Sequence, residues 1–226
     1  MLQDQLPPQD EKNCRFYIFR HGKSEGNVYK LIQGHKDFPL TPEGVQEAKE
    51  ACRLLENEEF VEIFSSDLSR ARQTAEIIAS EKHLAVKATY LLRDKSFGQY
   101  DGIAKEQFKN EMRVQLAEHE AMANEERAKH RLTPDMESDE EVVSRLLNFI
   151  RFTAVANPGK KVLVVSHSNV VRDLLVRFGY CGEKQLPSGA IKNCGYMVLD
   201  SDGADFFVRG VENIVIGEKK GEIVQD

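Results

Sequence analysis

Short apolar runs alternate along this chain with longer segments whose apolar residues recur at helical spacing. Residues 16–19, 61–64 and 162–165 have the length and composition of buried strands. Helices are predicted over residues 42–57 and 69–82, after the first and second runs, and over residues 139–157 and 169–178, on either side of the third run. Strands that alternate with helices are typical of a mostly parallel sheet with helices on both faces. The pattern therefore predicts an α/β protein with a three-layer α/β/α sandwich.

The remaining segments add to this sandwich. Residues 85–92 are predicted to be extended, and residues 196–199 and 206–211 to be two strands joined by a turn at Asp202 and Gly203. From 103 to 130 the chain is rich in charges of both signs. We interpret about 103–137 as an inserted helical cap that lies partly over the site, although its composition equally fits a solvated helical face. Residues 1–13 are polar and predict a flexible N-terminal tail, which leaves 14–226 as a single domain.

Composition narrows the class of protein. The chain has 226 residues, of which 41% are hydrophobic and 30% charged, as in soluble globular proteins. A net charge of -6 argues against nucleic-acid or anionic-membrane partners. Four cysteines without CxxC spacing and no signal peptide predict reduced thiols and a cytoplasmic location. No metal-ligand cluster is visible, so we predict neither metal nor cofactor, and the oligomeric state stays open.

Chemistry-bearing residues follow three of the predicted strands. Arg20, His21 and Gly22 come directly after the first strand, Arg70 comes shortly after the second, and His167 follows the strand at 162–165. The carboxyl ends of parallel strands meet at one edge of a sheet, where α/β proteins bind ligands. Guanidinium groups bind two phosphate oxygens at once, and a neutral histidine is a nucleophile. These residues therefore predict a site that holds and attacks a phosphoryl group.

Four stretches of the chain also resemble the motifs of one family. Residues 20–27 resemble RHGxSxxN, residues 33–44 resemble QGxxDxPLTxxG, residues 66–75 resemble SxLxRAxxTA, and residues 165–167 resemble VSH. Together they resemble the histidine phosphatase superfamily, the phosphoglycerate mutase-like proteins, over most of the chain. The resemblance implies the phosphoglycerate mutase-like fold.

By this resemblance, His21 is the nucleophile that becomes phosphohistidine. The resemblance also implies a set of residues that bind the phosphoryl group and the rest of the substrate; these are Arg20, Asn27, Gln33, Gly34, Arg70, His167 and Ser168. The substrate is expected to be a small phosphorylated molecule. His35 lies in the loop predicted to border the pocket and is a candidate substrate contact.

The general acid departs from the family pattern. Residues 92–102 resemble LxExxxGxxxG, but Asp94 stands at the position of the glutamate. A carboxyl group among phosphate oxygens can have its pKa raised enough to donate a proton, so we interpret Asp94 as the acid. In the alternative, Asp94 only pairs with Arg93 or Lys95. Lys23 is a second departure, either a cation at the site or a solvated charge.

The predicted function is hydrolysis of small phosphomonoesters through phosphohistidine. Gln33-Gly34 and Glu137-Ser138 resemble the broad-specificity and α-ribazole phosphatase branches of the superfamily. A glycolytic mutase is the first alternative, but its ERHYG-type block reads Asp94-Lys95-Ser96-Phe97-Gly98 here. The cap arginines are also separate rather than adjacent. A catalytically weak phosphate-binding module is the second alternative.

Overall fold

The structure, a computed structural model, describes residues 2–217 and contains a six-stranded sheet. The strands are β1 (Cys14–Arg20), β2 (Glu62–Ser66), β3 (Val86–Thr89), β4 (Lys161–Ser166), β5 (Ile191–Ser201) and β6 (Phe206–Ile214). Their order in the sheet is β3-β2-β4-β1-β5-β6. The first four of these are parallel, and β5 and β6 are antiparallel to their neighbours. The predicted mostly parallel sheet and the paired last two strands are confirmed.

β1 lies in the interior of the sheet, between β4 and β5. Its burial is almost complete, which explains why its sequence is a continuous apolar run rather than an alternating one. Arg20 at the end of β1 is in register with Ser166 at the end of β4. The residues that follow these two strands are therefore neighbours.

Helices cover both faces of the sheet. The helices are α1 (Glu25–Val28), α2 (Pro42–Leu54), α3 (Ser69–Lys82), α4 (Lys105–Glu111), α5 (Arg113–Ala121), α6 (Asn124–Lys129), α7 (Asp139–Ala156) and α8 (Ser168–Arg177). Buried residues of α2 and α3 pack with Tyr17 and Phe19 on one face of the sheet. Buried residues of α7 and α8 pack with Phe16 and Ile18 on the other face. Alternate residues of β1 thus belong to two different cores, as the predicted three layers require.

Two helix starts were readable from the sequence. Thr41 accepts a hydrogen bond from the backbone of Gly44, with Pro42 at the first position of α2. Ser138 and Glu141 form a capping box at the start of α7.

The cap differs in detail from the prediction. Instead of one helical stretch over 103–130, the chain forms three short helices, α4, α5 and α6. α4 and α5 pack on a small apolar cluster around Phe108, Met112 and Met136, which the partly buried Phe97 and Leu116 extend. α6 packs against α7 instead.

The first residues have contacts that the sequence did not predict. A 3-10 helix spans Leu2–Gln5, and the side chains of Leu2 and Leu6 pack against the core on the α2 and α3 face. The guanidinium group of Arg15 donates to the carbonyl oxygen of Pro7 at 3.0 Å. These contacts connect the first residues to the sheet and to the core beside it. Residues 1 and 218–226, which the predicted tail and domain include, lie outside the described residues.

Cys14, Cys52, Cys181 and Cys194 are all free thiols and all buried. Burial raises the pKa of both Cys14 and Cys194 to about 12. In the part of the chain from 2 to 217, no helix has the length and apolar character needed to cross a membrane.

Candidate active site

Two histidines face each other at the carboxyl ends of β1 and β4. The backbone N–H of His21 donates to the carbonyl oxygen of Ser166 at 3.1 Å, which ties the two strand ends together. The imidazole rings of His21 and His167 lie with their centroids 5.2 Å apart. Both side chains are almost inaccessible, at 2% and 0% exposure. The structure therefore brings together the two histidines that the sequence placed at separate strand ends.

The ring of His21 is held in one orientation. Its Nδ1 lies 2.6 Å from the carbonyl oxygen of Gly22. Because a carbonyl oxygen only accepts hydrogen bonds, Nδ1 carries the proton and Nε2 presents a lone pair. Burial, together with the guanidinium groups of Arg70 and Arg20, holds the pKa of His21 well below its ordinary value. His21 is thus a neutral imidazole with its nucleophilic nitrogen available.

Position 22 has no room for a side chain, which explains why it is glycine. A Cβ atom there would lie 2.5 Å from the carbonyl oxygen of Gly44, in the first turn of α2. Gly44 in turn leaves no room for a side chain against the backbone of Lys23. The start of α2 therefore packs directly on the backbone that follows His21.

Arg70 is completely buried in the first turn of α3. Its guanidinium group donates to the carbonyl oxygens of Gly34 at 2.8 Å and Lys36 at 2.9 Å. The same loop reaches the start of α3 through Asp37, which accepts a hydrogen bond from the backbone of Ser69 at 2.7 Å. Arg70 and the loop that carries Gln33 and Gly34 are therefore fixed relative to each other.

Several buried polar atoms at this place have no hydrogen-bond partner among the described residues. They are both ring nitrogens of His167, the Nε of Arg70 and the Nε of Arg20. Arg20 is anchored by one hydrogen bond of 2.6 Å to the carbonyl oxygen of Ile191. Buried polar atoms without partners are costly, and their concentration at one place is typical of a binding site. Most of these atoms are N–H donors, which suit an anion.

Asp94 lies on the other side of this group of cations. Its side chain is nearly buried, and its Oδ2 lies 3.9 Å from a guanidinium nitrogen of Arg70 and 4.0 Å from Nδ1 of His167. Burial raises the pKa of Asp94, although Arg70 and a hydrogen bond from Asn169 oppose this shift. A carboxyl group with a raised pKa beside a phosphate-binding site has the properties of a general acid.

The alternative partners of Asp94 are engaged elsewhere. Arg93 makes a bidentate ion pair with Asp67, at 2.8 and 2.7 Å. The amino group of Lys95 pairs with Asp139 at 2.5 Å. Of the hydrogen-bonding groups of these two neighbours, the backbone N–H of Lys95 donates to the Asp94 carboxylate, at 3.0 Å. The interpretation in which Asp94 merely pairs with its neighbours' side chains is therefore wrong. Of the two alternatives for Lys23, the structure favours the solvated charge, since its amino group pairs with the exposed Glu43 at 2.6 Å.

The remaining predicted residues line one cavity with His21. Gln33 accepts a hydrogen bond from the hydroxyl of Ser24 at 2.7 Å, and the oxygen of Asn27 accepts one from the backbone of Ser24 at 3.0 Å. The cavity has a volume of about 490 Å³. The predicted site residues on its wall are Arg20, His21, Asn27, Gln33, Gly34, Asp94 and Ser168. Arg70 and His167 lie behind this wall, next to Asp94.

The cap contributes the opposite wall. Phe108 and Leu116, with Phe97 beneath them, present apolar surface to the cavity. Lys105 and Lys109 line the same cavity. Residues of α4 and α5 therefore form one side of the cavity.

Three residues hold Asp94, and sequence reasoning missed two of them, Asn169 and Arg145. Asn169 donates to its Oδ1 at 3.0 Å, whereas Arg145 and His35 contact its backbone carbonyl oxygen at 2.8 and 2.9 Å. His35 was predicted as a candidate substrate contact, and in the structure its side chain contacts the backbone of Asp94. Asn169, two residues after His167, could have been found from its position in the first turn of α8. Arg145 lies in the middle of a helix and carries no sequence signal of this kind.

Comparison with known proteins decides the family. The sequence profile of the histidine phosphatase superfamily (branch 1) matches residues 16–214. The chain belongs to the histidine phosphatase superfamily. Among residues 2–217, no group of histidine, cysteine and acidic side chains has the arrangement needed to hold a metal ion.

Individual histidine phosphatases are similar to it over most of their length. The uncharacterized phosphatase PhoE of Bacillus subtilis is 29% identical over 78% of this chain and 82% of its own. The broad-specificity phosphatase YOR283W of Saccharomyces cerevisiae is 28% identical over 90% of this chain and 87% of its own. Among solved structures, YhfR of Bacillus stearothermophilus has a TM-score of 0.76 and 27% identity, over 89% of this chain and 98% of its own. Phosphoglycerate mutases are also among the similar proteins.

The predicted histidine phosphatase and its phosphoglycerate mutase-like fold are therefore confirmed. Phosphohistidine is the general mechanism of this superfamily, and named phosphatases are among the relatives of this chain. The role of each residue in the cavity is a separate question, to which the geometry is relevant.

Proposed function

We propose that this histidine phosphatase hydrolyses small phosphomonoesters with His21 as nucleophile and Asp94 as general acid. The observation that carries the proposal is the pairing of a neutral imidazole with a buried carboxyl group across one set of cationic donors. Phosphoryl transfer spreads negative charge over three oxygens, so convergent donors are the main catalytic contribution.

In the first step, Nε2 of His21 bonds to phosphorus while the bond between phosphorus and the ester oxygen breaks. Asp94 gives its proton to that oxygen, so the product leaves as an alcohol. Arg20, Arg70 and His167 hold the phosphoryl oxygens. In the neutral state, His167 serves as a hydrogen-bond donor, because burial and the nearby Arg70 hold its pKa well below its ordinary value.

In the second step, water attacks phosphorus and the bond to Nε2 breaks. Asp94, now a carboxylate, takes the proton of the water. Inorganic phosphate leaves, and both residues return to their starting states. Each proton and each bond is then accounted for without a metal or a cofactor.

Asn27, Gln33, Gly34 and Ser168 would complete the binding of the substrate. The cavity of about 490 Å³ suits a small molecule. Its cap wall, with Phe97, Phe108 and Leu116, favours an organic group with apolar surface next to the phosphate. We further propose that residues 14–226 form one domain and that the enzyme acts in the cytoplasm, as four reduced thiols and the composition favour.

A mutase remains the alternative, because mutases are among the similar proteins. A mutase returns the phosphoryl group to a second hydroxyl group and must exclude water. Incubation with phosphoglycerate and bisphosphoglycerate separates the two reactions. Free phosphate as the main product supports the phosphatase, and rapid isomerisation with little free phosphate supports the mutase.

The test of the proposed function is phosphate release from sugar phosphates, phosphoglycerates, nucleotides and p-nitrophenyl phosphate. The wild type is compared with His21→Ala and with Lys23→Ala as a matched control that removes an exposed ion pair. Loss of release in His21→Ala alone, with a phosphorylated peptide containing His21 in the wild type, is the expected result. A protein that binds phosphate but releases none from any substrate would instead be a binding module.

A further inference from the structure

The two oxygens of the Asp94 carboxyl group have different surroundings. Oδ1 accepts two hydrogen bonds of 3.0 Å, one from Nδ2 of Asn169 and one from the backbone N–H of Lys95. Oδ2 accepts neither of them and lies on the side of Arg70 and His167, at 3.9 and 4.0 Å. The carboxyl group is therefore asymmetric with respect to where a proton can reside.

We propose that Asn169 is a positioning residue that keeps the acidic proton of Asp94 on Oδ2, directed at the leaving oxygen of the substrate. The inference rests on the proposed role of Asp94 as general acid. A protonated carboxyl group has one acceptor oxygen and one O–H group. Since two donors already point at Oδ1, the O–H group forms at Oδ2, next to the groups that hold the phosphoryl oxygens.

Asp94 needs this support because its side chain is short. Arg145 and His35 fix its backbone carbonyl oxygen from one side, and Asn169 fixes its carboxyl group from the first turn of α8. Without Asn169, the N–H of Lys95 is the single remaining donor to Oδ1, and the carboxyl group can turn about its terminal torsion. General acid catalysis requires the proton within hydrogen-bond reach of its acceptor, so this freedom lowers the rate.

Asn169 also affects the charge of Asp94. A hydrogen bond donated to the carboxylate favours the charged form, which counteracts the effect of burial. Asp94 must be protonated in the first step and ionised in the second. Asn169 keeps both states accessible, because burial alone favours the protonated state.

The test measures kcat/KM for two substrates, glycerol 3-phosphate and p-nitrophenyl phosphate. The first releases an alkoxide, which needs a proton, and the second releases nitrophenolate, which does not. Because kcat/KM includes only the steps up to the first irreversible one, it measures the formation of phosphohistidine and not its hydrolysis. The proteins are the wild type, Asn169→Ala, Asn169→Asp, Asp94→Asn and the double variant Asp94→Asn with Asn169→Ala.

Asn157→Ala is the matched control. The amide of Asn157 donates to Glu62 and to the carbonyl oxygen of Thr153, at the amino-terminal edge of the sheet and outside the cavity. Thermal unfolding of each variant shows whether it is folded. Asn169→Asp keeps the shape of the side chain and serves if Asn169→Ala does not fold.

We expect Asn169→Ala to lower kcat/KM for glycerol 3-phosphate about tenfold or more, since general acid catalysis contributes about 10²–10⁴-fold. The value for p-nitrophenyl phosphate should change less than about threefold. In Asn169→Asp the alkaline limb of the pH profile should move upward by about one pH unit, because the donor is lost and a like charge is added. In the Asp94→Asn background, Asn169→Ala should have no further effect on glycerol 3-phosphate.

Equal losses on both substrates, or a loss that persists in the Asp94→Asn background, would show that Asn169 binds substrate and would overturn the inference. Full activity of Asn169→Ala would overturn it too. Full activity of Asp94→Asn on glycerol 3-phosphate would show that Asp94 is not the general acid. Because this result needs no Asn169 variant, it distinguishes failure of the proposed function from failure of the present inference.

Discussion

The Nδ1 atom of His21 lies 2.6 Å from the carbonyl oxygen of Gly22, the next residue in the chain. The tautomer of the proposed nucleophile is thus set by the next residue in the chain. Two further features keep the ring neutral, namely its burial and the proximity of Arg70 and Arg20. The protonation state of His21 is therefore fixed locally, and the pH dependence of the enzyme follows from it.

The first prediction concerns the rate. Asp94 must be protonated to act as acid, and burial raises its pKa, so kcat/KM for alkyl phosphates should fall as pH increases through that raised value. His21 must be neutral, and its lowered pKa keeps it neutral in acid where a free histidine is charged. The expected profile has an acidic maximum.

The pH profile of Asp94→Asn provides the control for this prediction. Ionisation of the substrate affects the wild type and the variant equally, so the alkaline limb that the variant lacks belongs to Asp94. A wild-type rate that increases towards alkaline pH contradicts the assignment.

The second prediction concerns stability. The pKa values of His21 and His167 are both lower in the folded state than in the unfolded chain. Below about pH 6.5, the unfolded chain binds protons that the folded protein does not, so the free energy of unfolding decreases as pH falls, by up to about 1.4 kcal/mol per pH unit and per histidine.

Urea denaturation at pH 7 and pH 5 tests this. The double variant His21→Gln with His167→Gln should lose less stability between the two pH values than the wild type loses. Equal losses would mean that other groups dominate the acid sensitivity.

The third prediction concerns Gly22. In Gly22→Ala, the new methyl group meets the carbonyl oxygen of Gly44 at 2.5 Å, and this oxygen is a backbone atom that cannot move as the end of a flexible side chain can. We expect a loss of about 1–3 kcal/mol in the free energy of unfolding, together with lower activity because His21 shifts with the backbone. Chemical denaturation measures the first effect, and kcat measures the second. Wild-type values for both would show that the start of α2 adjusts freely.

The fourth prediction concerns Arg70. Arg70→Lys keeps the charge but loses the planar group that donates to both Gly34 and Lys36. Loss of one oriented donor to a transition state costs about 10²–10³-fold in rate, so a loss in this range is expected for kcat/KM. A kcat/KM within about threefold of the wild-type value would mean that charge alone matters, because such a change corresponds to less than about 1 kcal/mol in activation free energy.

The fifth prediction concerns Lys105. It lines the cavity, near Arg20. Lys105→Met should raise KM for phosphate esters, with a smaller change in kcat, because the lysine contributes to the positive potential that attracts the anion. The effect should weaken at high salt. Lys23→Ala, which removes a lysine paired with Glu43, should change neither constant.

The edge of the sheet where the site forms was predictable, since Arg20, His21 and His167 directly follow apolar runs that form interior strands. The contacts of Asp94 were not predictable. Its sequence neighbours Arg93 and Lys95 suggested ion pairs, yet they pair with Asp67 and Asp139, which are distant in the sequence. The division of the cap into three helices could not be predicted either, because a helix of charged residues can continue or stop with little difference in free energy.

The order of strands also determines when this site can form during synthesis of the chain. β1, which ends directly before His21, hydrogen-bonds to β4 and β5, and both are synthesised long after it. Such distant pairings form late, because the entropy of closing the intervening chain has to be overcome first. A nascent chain that stops before residue 160 contains His21, Arg70 and Asp94 but neither neighbour of β1. His21 and His167 therefore come together only after β4 has been synthesised, and a chain that stops earlier cannot form this site.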